Sequence, residues 1–272
     1  MIDSERNQSM PPHLVRALVT AAAICIALSA SANEVAVQIP TRPGITVAFA
    51  FDSPPEPKAV AVLFSGGDGV IGVSGVGDKV FARSSDNFLI RSRGKFRDAG
   101  LAYAAVDAPS DHHDGMPEWF RAGSDNAADI AHVLGWLRQK AAAPIWLVGT
   151  SMGSISAAAV AARLKGGFDG LVLTSTVSLP TRRAPGGGVA TLALDRVGVP
   201  TLVMDHTAEA CKAVGSPQAI ARRLTGSPRV AVSIIDGGDP PRSGPCEGLS
   251  PHGYLGAEDK AVSAIVAFML AR

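Results

Sequence analysis

Aromatic side chains are scarce: they make up 5% of the 272 residues, and only 2 of them are Tyr. That scarcity argues against a stacking groove for sugars or nucleic-acid bases. Excess charge of either sign is missing too. The 25 Lys and Arg balance 24 Asp and Glu to a formal +1, so no field draws the chain to nucleic acid or an anionic membrane. Internal repeats and low-complexity tracts are absent, and Cys occurs only 3 times. What is abundant is Ala, Val and Gly within a 47% hydrophobic chain, which suits tight packing of helices on a sheet. The length allows one large α/β domain, and nothing forces two.

The N-terminus reads as a targeting segment. Arg6, His13 and Arg16 precede an apolar run, 17–28, and Ala30-Ser31-Ala32 offers a small-x-small cleavage site. Residues 1–32 are therefore expected to be a signal peptide, and the run is too short to span a membrane, so no stable insertion is expected after its removal. Ile precedes Cys25, which makes a poor lipidation box. The expected destination is the periplasm or the exterior. Loss of Cys25 leaves Cys211 and Cys246, and an even pair in an oxidising compartment reads as a disulfide.

Residues 33–272 read as one domain. Residues 34–39 and 45–51 are β-type runs around a Pro-rich turn, an antiparallel hairpin at a sheet edge. The apolar run 59–64 is a central strand, 86–99 a helix, and 101–106 a strand. Helical spacing places a helix over 124–140 with Ser124 as its N-cap. Further strands fall at 144–148, 170–174, 201–205 and 230–235, with helices at 155–164, 217–224 and 258–270. The irregular, Gly- and Pro-rich stretch 178–198 reads as a short lid over a site. This alternation implies a mostly parallel sheet with helices on both faces.

One stretch carries chemistry. Gly149-Thr-Ser-Met-Gly153 is G-x-S-x-G between a strand and an Ala-rich helix, the context of a nucleophile elbow. Such a turn strains its Ser and needs small neighbours; it exposes the Ser151 hydroxyl at a helix N-terminus and frees the Met152 N–H for an oxyanion. Chain order in such sites runs Ser, acid, His. Of the six His, only His252 leaves room for an intervening acid loop. Asp205 and Glu209 both follow the strand at 201–205; Glu209 lies on the loop proper and is preferred, with Asp205 as the alternative. A Cys211–Cys246 bridge would tie the acid loop to the loop leading to His252.

Ser65-Gly-Gly-Asp-Gly69 follows the central strand and supplies Gly67 and Asp68 as candidates for the second oxyanion N–H. Residues 67–72 also fit G-x-G-x-x-G, but more Gly follows where a dinucleotide loop must open into a helix, so no cofactor is expected. Asp111-His-His-Asp114 reads as a solvated loop bordering the pocket, not a metal site. Arg91, Arg93, Lys95 and Arg97 read as a solvated basic face. Substrate choice is expected to lie in 178–198 and 110–123.

Over essentially all of 33–272 the chain resembles the α/β-hydrolase superfamily, and within it a group of exported bacterial α/β hydrolases. The residues carrying the resemblance are Asp107-Ala-Pro-Ser-Asp111, Val148-Gly-Thr-Ser-Met-Gly153, Glu209-Ala-Cys211 and Cys246 with His252-Gly-Tyr254. The resemblance implies Ser151 as nucleophile, His252 as general base and Glu209 as orienting acid, although Glu stands where Asp is usual. The implied activity is hydrolysis of a small-molecule ester. Amide cleavage, acyl transfer and a non-catalytic binding role remain open alternatives, as does the oligomeric state.

Overall fold

The computed structural model describes residues 34–76, 79–81 and 86–271. The expected signal segment, with Cys25, lies outside the described residues. In chain order the strands and α-helices are β1 (Val35–Pro40), β2 (Thr46–Asp52), β3 (Val60–Phe64), β4 (Ser74–Val76), β5 (Lys79–Phe81), α1 (Phe88–Arg91) and α2 (Arg93–Asp98). Then come β6 (Ala102–Val106), α3 (Glu118–Arg121), α4 (Ser124–Lys140), β7 (Ile145–Thr150), α5 (Gly153–Arg163) and β8 (Gly170–Thr174). The chain closes with β9 (Thr201–His206), α6 (Pro217–Ala221), β10 (Val230–Ile235) and α7 (Glu258–Leu270).

Eight strands form one sheet in the order β1-β2-β6-β3-β7-β8-β9-β10. β1 and β2 pair as the expected antiparallel hairpin, Val35 opposite Phe51 and Pro40 opposite Thr46. β2 meets β6 antiparallel, and every pairing from β6 to β10 is parallel.

Alternation along the buried strands feeds two cores. Val60, Val62 and Phe64 of β3 pack with α4 and α5 residues such as Ile130, Leu134, Ile155 and Val160. Ala61 and Leu63 face the other way, onto Phe88, Leu89 and Phe96 of α1 and α2 and Val262 and Ile265 of α7. Residues i and i+2 share a sheet face, so a strand buried on both sides must be apolar throughout; β3, β6 and β7 are fully buried. The chain thus covers both faces with helices. Among the described residues no helix is long and apolar enough to cross a membrane.

Several local expectations are corrected. The single helix expected over 86–99 is two, divided at Ser92; Asn87 caps the first through its side-chain oxygen, accepting from Leu89 and Ile90 N–H, and Arg93 reaches back to the Ile90 carbonyl at 2.7 Å. Ser124 is the first helical residue of α4 and Gly123, which has no side chain to cap with, stands at the N-cap; the Gly123 N–H closes α3 onto the Phe120 carbonyl. The basic stripe of α1 and α2 is not a solvated face. Arg91 pairs with Glu258, Arg93 with Glu34, Lys95 with Asp259 and Arg97 with Asp52, which fastens these helices to α7 and to the first two strands. Burial raises the Glu34 carboxyl, but the bonds from Arg93 and Tyr103 outweigh it and hold it below its ordinary value.

Candidate active site

β7 runs to Thr150, two residues further than its apolar run, so Ser151 sits at the carboxyl end of a central strand and α5 begins at Gly153. Ser151 has φ +52°, a strained conformation for a residue with a side chain. Its neighbours hold it there. The Ser151 N–H donates to the Thr174 carbonyl at 3.0 Å, and the Ser151 carbonyl accepts from Ser154 N–H at 3.0 Å and Ser154 Oγ at 2.6 Å. The flanking glycines are steric requirements: a Cβ on Gly149 would lie 2.5 Å from the Gly153 carbonyl oxygen, and one on Gly153 2.1 Å from that of Phe64.

His252 arrives from the other side of the sheet's carboxyl edge, on a 3-10 turn at Pro251–Gly253. Its carbonyl accepts from Ser175 Oγ at 2.7 Å, and the ring is almost fully buried. Nδ1 lies 2.8 Å from Glu209 Oε2, and Nε2 lies 2.9 Å from Ser151 Oγ. A carboxylate only accepts, so Nδ1 donates to Glu209 and the neutral ring turns its lone pair at Nε2 towards the serine hydroxyl. The other Glu209 oxygen accepts from Cys211 N–H at 2.7 Å, which fixes the carboxylate plane.

Asp205, the alternative acid, is turned elsewhere: its Oδ1 accepts from the His206 N–H at 2.8 Å. Burial pushes its carboxyl up to about 6, and the Glu209 charge adds to that, against the His206 N–H and His252. Between the unfolded value near 3.8 and about 6, the folded chain binds the proton more tightly, so this carboxyl erodes stability as pH rises through that window. Asp205→Asn keeps an acceptor for His206 and carries no charge. Its Tm is expected to exceed the parent's at pH 8 and to match it at pH 4; a gain independent of pH would refute this account of Asp205.

Cys211 and Cys246 are bridged, closing a loop of sequence separation 35. The bridge joins the residue that steadies Glu209 to an exposed residue on the wall of the cleft. Reduction is expected to lower stability by about 4 kcal/mol on chain-entropy grounds and to slow turnover as Glu209 loosens. Melting temperature and rate with and without dithiothreitol check this, and two unchanged values would contradict it.

The cleft over Ser151 encloses about 390 Å³. Gly66, Gly67 and Asp68 form one wall and 243–253 much of another, with Asp86, Asn87 and Phe88 between them. From the 178–198 stretch only Arg183 lines it, and 110–123 contributes nothing. The expectation that 110–123 shapes the pocket is thus corrected, while 178–198 reaches it through Arg183. Asp111 instead buttresses the first hairpin, pairing with Arg42 at 3.0 Å, and His112 stacks on Phe120 of α3. Glu118 holds 178–198 down by accepting from the Gly186 and Gly188 N–H groups.

The Met152, Gly67 and Asp68 N–H groups donate to no acceptor among the described residues. Met152 heads α5, and Gly67 and Asp68 line the cleft. One grouping among the described residues has metal-ligand spacing, Glu209, Cys211 and His252, within 4.8 Å. Its sulfur is committed to the disulfide and both imidazole nitrogens are engaged, so the donor set does not fit a metal.

Three features of the site were not foreseen. Ser175 (φ +43°) and Tyr254 (φ +56°) are strained like Ser151, and the Tyr254 hydroxyl donates to the Met204 carbonyl. The Tyr254 phenol is raised, by burial foremost. Nothing in local sequence marks Ser175, whose N–H donates to the Met204 carbonyl of β9, and the His252-Gly-Tyr254 motif gives no sign of the positive φ at its tyrosine. The third, Arg121, is buried beneath the Gly67 wall, and its position between Phe120 and Ala122 gives no signal of it.

No family model matches the chain, and no curated protein matches it in sequence. Solved structures do match. An esterase of Pyrococcus furiosus superposes with a TM-score of 0.63 at 14% identity, covering 88% of this chain and 91% of that one. A dienelactone hydrolase of Anabaena variabilis gives 0.61 at 13% identity, covering 88% and 97%. A thermostable carboxyl esterase of Bacillus coagulans gives 0.57 at 14% identity, covering 87% and 97%. With its eight-stranded, mostly parallel sheet, N-terminal antiparallel hairpin and flanking helices, the chain has the α/β-hydrolase fold.

Proposed function

We propose that the protein is an exported serine hydrolase that cleaves a small-molecule ester through an acyl-enzyme on Ser151. The observation that carries this reading is the unbroken relay Ser151 Oγ, His252 Nε2, His252 Nδ1, Glu209 Oε2, with links of 2.9 and 2.8 Å at the floor of an open cleft. His252 takes the hydroxyl proton as Oγ attacks the ester carbonyl, and Glu209 stabilises the resulting imidazolium. The negative charge that forms on the carbonyl oxygen is held by the Met152 N–H and that of Gly67 or Asp68. Collapse returns the proton to the leaving alcohol. Water, deprotonated by the same imidazole, then adds to the acyl carbon and releases the acid and free Ser151.

The esterases and the hydrolase that share the fold support ester chemistry, and the disulfide accords with an oxidising destination. Asp68, Asp86, Glu247 and Arg183 make the cleft polar, with Phe88 and Leu249 as its larger apolar residues. A short or polar acyl group suits such walls better than a long alkyl chain. A panel of p-nitrophenyl esters of increasing acyl length, run beside the matching anilides, tests the reading. Hydrolysis is expected for acetyl and butyryl esters, to fall with acyl length and to be slow for anilides; cleavage of anilides alone would overturn the ester assignment.

A further inference from the structure

Arg121 is among the largest fully buried side chains, and its guanidinium contacts no carboxylate among the described residues. Its donors go to three neutral oxygens: Nε to the Met116 carbonyl at 3.1 Å, Nη1 to Ser156 Oγ at 3.2 Å and Nη2 to the Gly67 carbonyl at 3.2 Å. Asn126 Nδ2 fixes its backbone by donating to the Arg121 carbonyl at 2.9 Å. Burial pushes the guanidinium down to about 10, against the pull of Asp68, and leaves it protonated at neutral pH. A buried charge that touches no carboxylate directly is costly, so packing alone does not account for a cation here.

The carbonyl it grips belongs to a soft element. Gly66 to Gly69 form a turn closed by Gly69 N–H to Gly66 O at 3.2 Å, with Gly67 at φ +63° as its first central residue. The peptide following such a glycine rotates at little steric cost, and the closing Gly69–Gly66 bond does not by itself decide its orientation. Arg121 supplies that decision from below. A Cβ on Gly69 would lie 2.5 Å from Nη2, so the turn rests directly on the guanidinium. Ser156, the second anchor, lies on α5, the helix headed by Met152. One side chain therefore ties the turn bearing Gly67 and Asp68 to the helix bearing the Met152 N–H.

We propose that Arg121 is a positioning residue that sets the spacing between the two halves of the oxyanion-binding site by clamping the Gly66–Gly69 turn to α5. The proposal rests on the reading of Ser151 as nucleophile. It places the effect of Arg121 on the tetrahedral state and not on ground-state substrate, because its partners are the turn and helix that carry the oxyanion donors.

The test compares the full chain with Arg121→Met, Arg121→Lys and Ser156→Ala. For p-nitrophenyl acetate, Arg121→Met is expected to lower kcat about 30-fold or more with KM little changed, since a misplaced oxyanion donor acts on the transition state alone. Affinity for a boronic acid that forms a tetrahedral adduct should fall by a similar factor. Arg121→Lys should recover part of both, and Ser156→Ala should show a smaller loss of the same kind. Amide exchange over 66–69 should quicken in Arg121→Met while exchange in β7 and β8 holds. Turnover within twofold of the parent together with unchanged exchange over 66–69 would overturn the clamp. Should Arg121→Met not fold, Arg121→Lys and Ser156→Ala decide by the same readings. Should the parent hydrolyse no ester, the serine hydrolase reading falls, and exchange over 66–69 alone decides on the clamp.

Discussion

Ser151→Ala is expected to lower kcat for a short-chain activated ester by about a millionfold. The expectation follows from the division of labour in the relay. Without Oγ there is no acyl-enzyme, and His252 is left oriented towards an empty position with no nucleophile to activate. Oxyanion donors and substrate binding survive, so residual acceleration over water of about a thousandfold sets the floor. The fold should survive as well. Ser151 is held by its backbone N–H and carbonyl, bonds that alanine keeps, and its side chain makes no contact the sheet depends on. The positive φ costs alanine no more than serine. Full-rate turnover in a correctly folded Ser151→Ala would remove Ser151 from the mechanism, and near-parent Tm is the control.

Glu209→Gln is the second large effect expected, a loss in kcat of about ten-thousandfold. In the proposed mechanism the carboxylate has two roles: it accepts from Nδ1, 2.8 Å away, and so presents the Nε2 lone pair to Ser151, and it stabilises the imidazolium formed on attack. A carboxamide can turn its NH₂ towards Nδ1 and select the wrong tautomer, which leaves Nε2 protonated and unable to accept. KM should change little, because Glu209 is not among the cleft-lining residues. Asp205→Asn serves as the contrast. Its carboxylate engages the His206 N–H and not the ring of His252, so its loss in kcat should stay within about tenfold. A larger loss in Asp205→Asn than in Glu209→Gln would transfer the role of acid from one residue to the other.

The elements that set the site were legible where local pattern and tertiary demand agree. β3 is buried on both faces and so reads as an unbroken apolar run; α4 keeps its apolar residues at helical spacing because one face packs on the sheet. The elbow was legible because steric crowding at Gly149 and Gly153 forbids any side chain there, and that prohibition is written in sequence as G-x-S-x-G. Chain order selected His252 and, with the cysteine pair, favoured Glu209 over Asp205; in the structure Glu209 and Ser151 lie on either side of the His252 imidazole.

What stayed illegible depends on partners far away in the chain. The break at Ser92, where the backbone leaves helical values at φ −97° and ψ 1°, is accompanied by the reach of Arg93 to the Ile90 carbonyl, and a continuous helical pattern does not show it. The basic stripe looked solvated because its acids, Glu34, Asp52, Glu258 and Asp259, lie 45 to 167 residues away in sequence. The cleft walls were misassigned for the same reason: 243–253 reaches Ser151 only through the placement of His252 and the disulfide. Arg121 is the extreme case, a charge in the interior whose partners are main-chain and hydroxyl oxygens with no sequence signature.

The most direct measurement of the central claim is labelling of the intact chain with a fluorophosphonate probe, followed by mapping of the modified peptide. The relay of Ser151, His252 and Glu209 predicts stoichiometric modification at Ser151, abolished in Ser151→Ala and strongly slowed in Glu209→Gln. A folded chain that takes up no label, or takes it up at another residue, would contradict the assignment of Ser151 as the nucleophile.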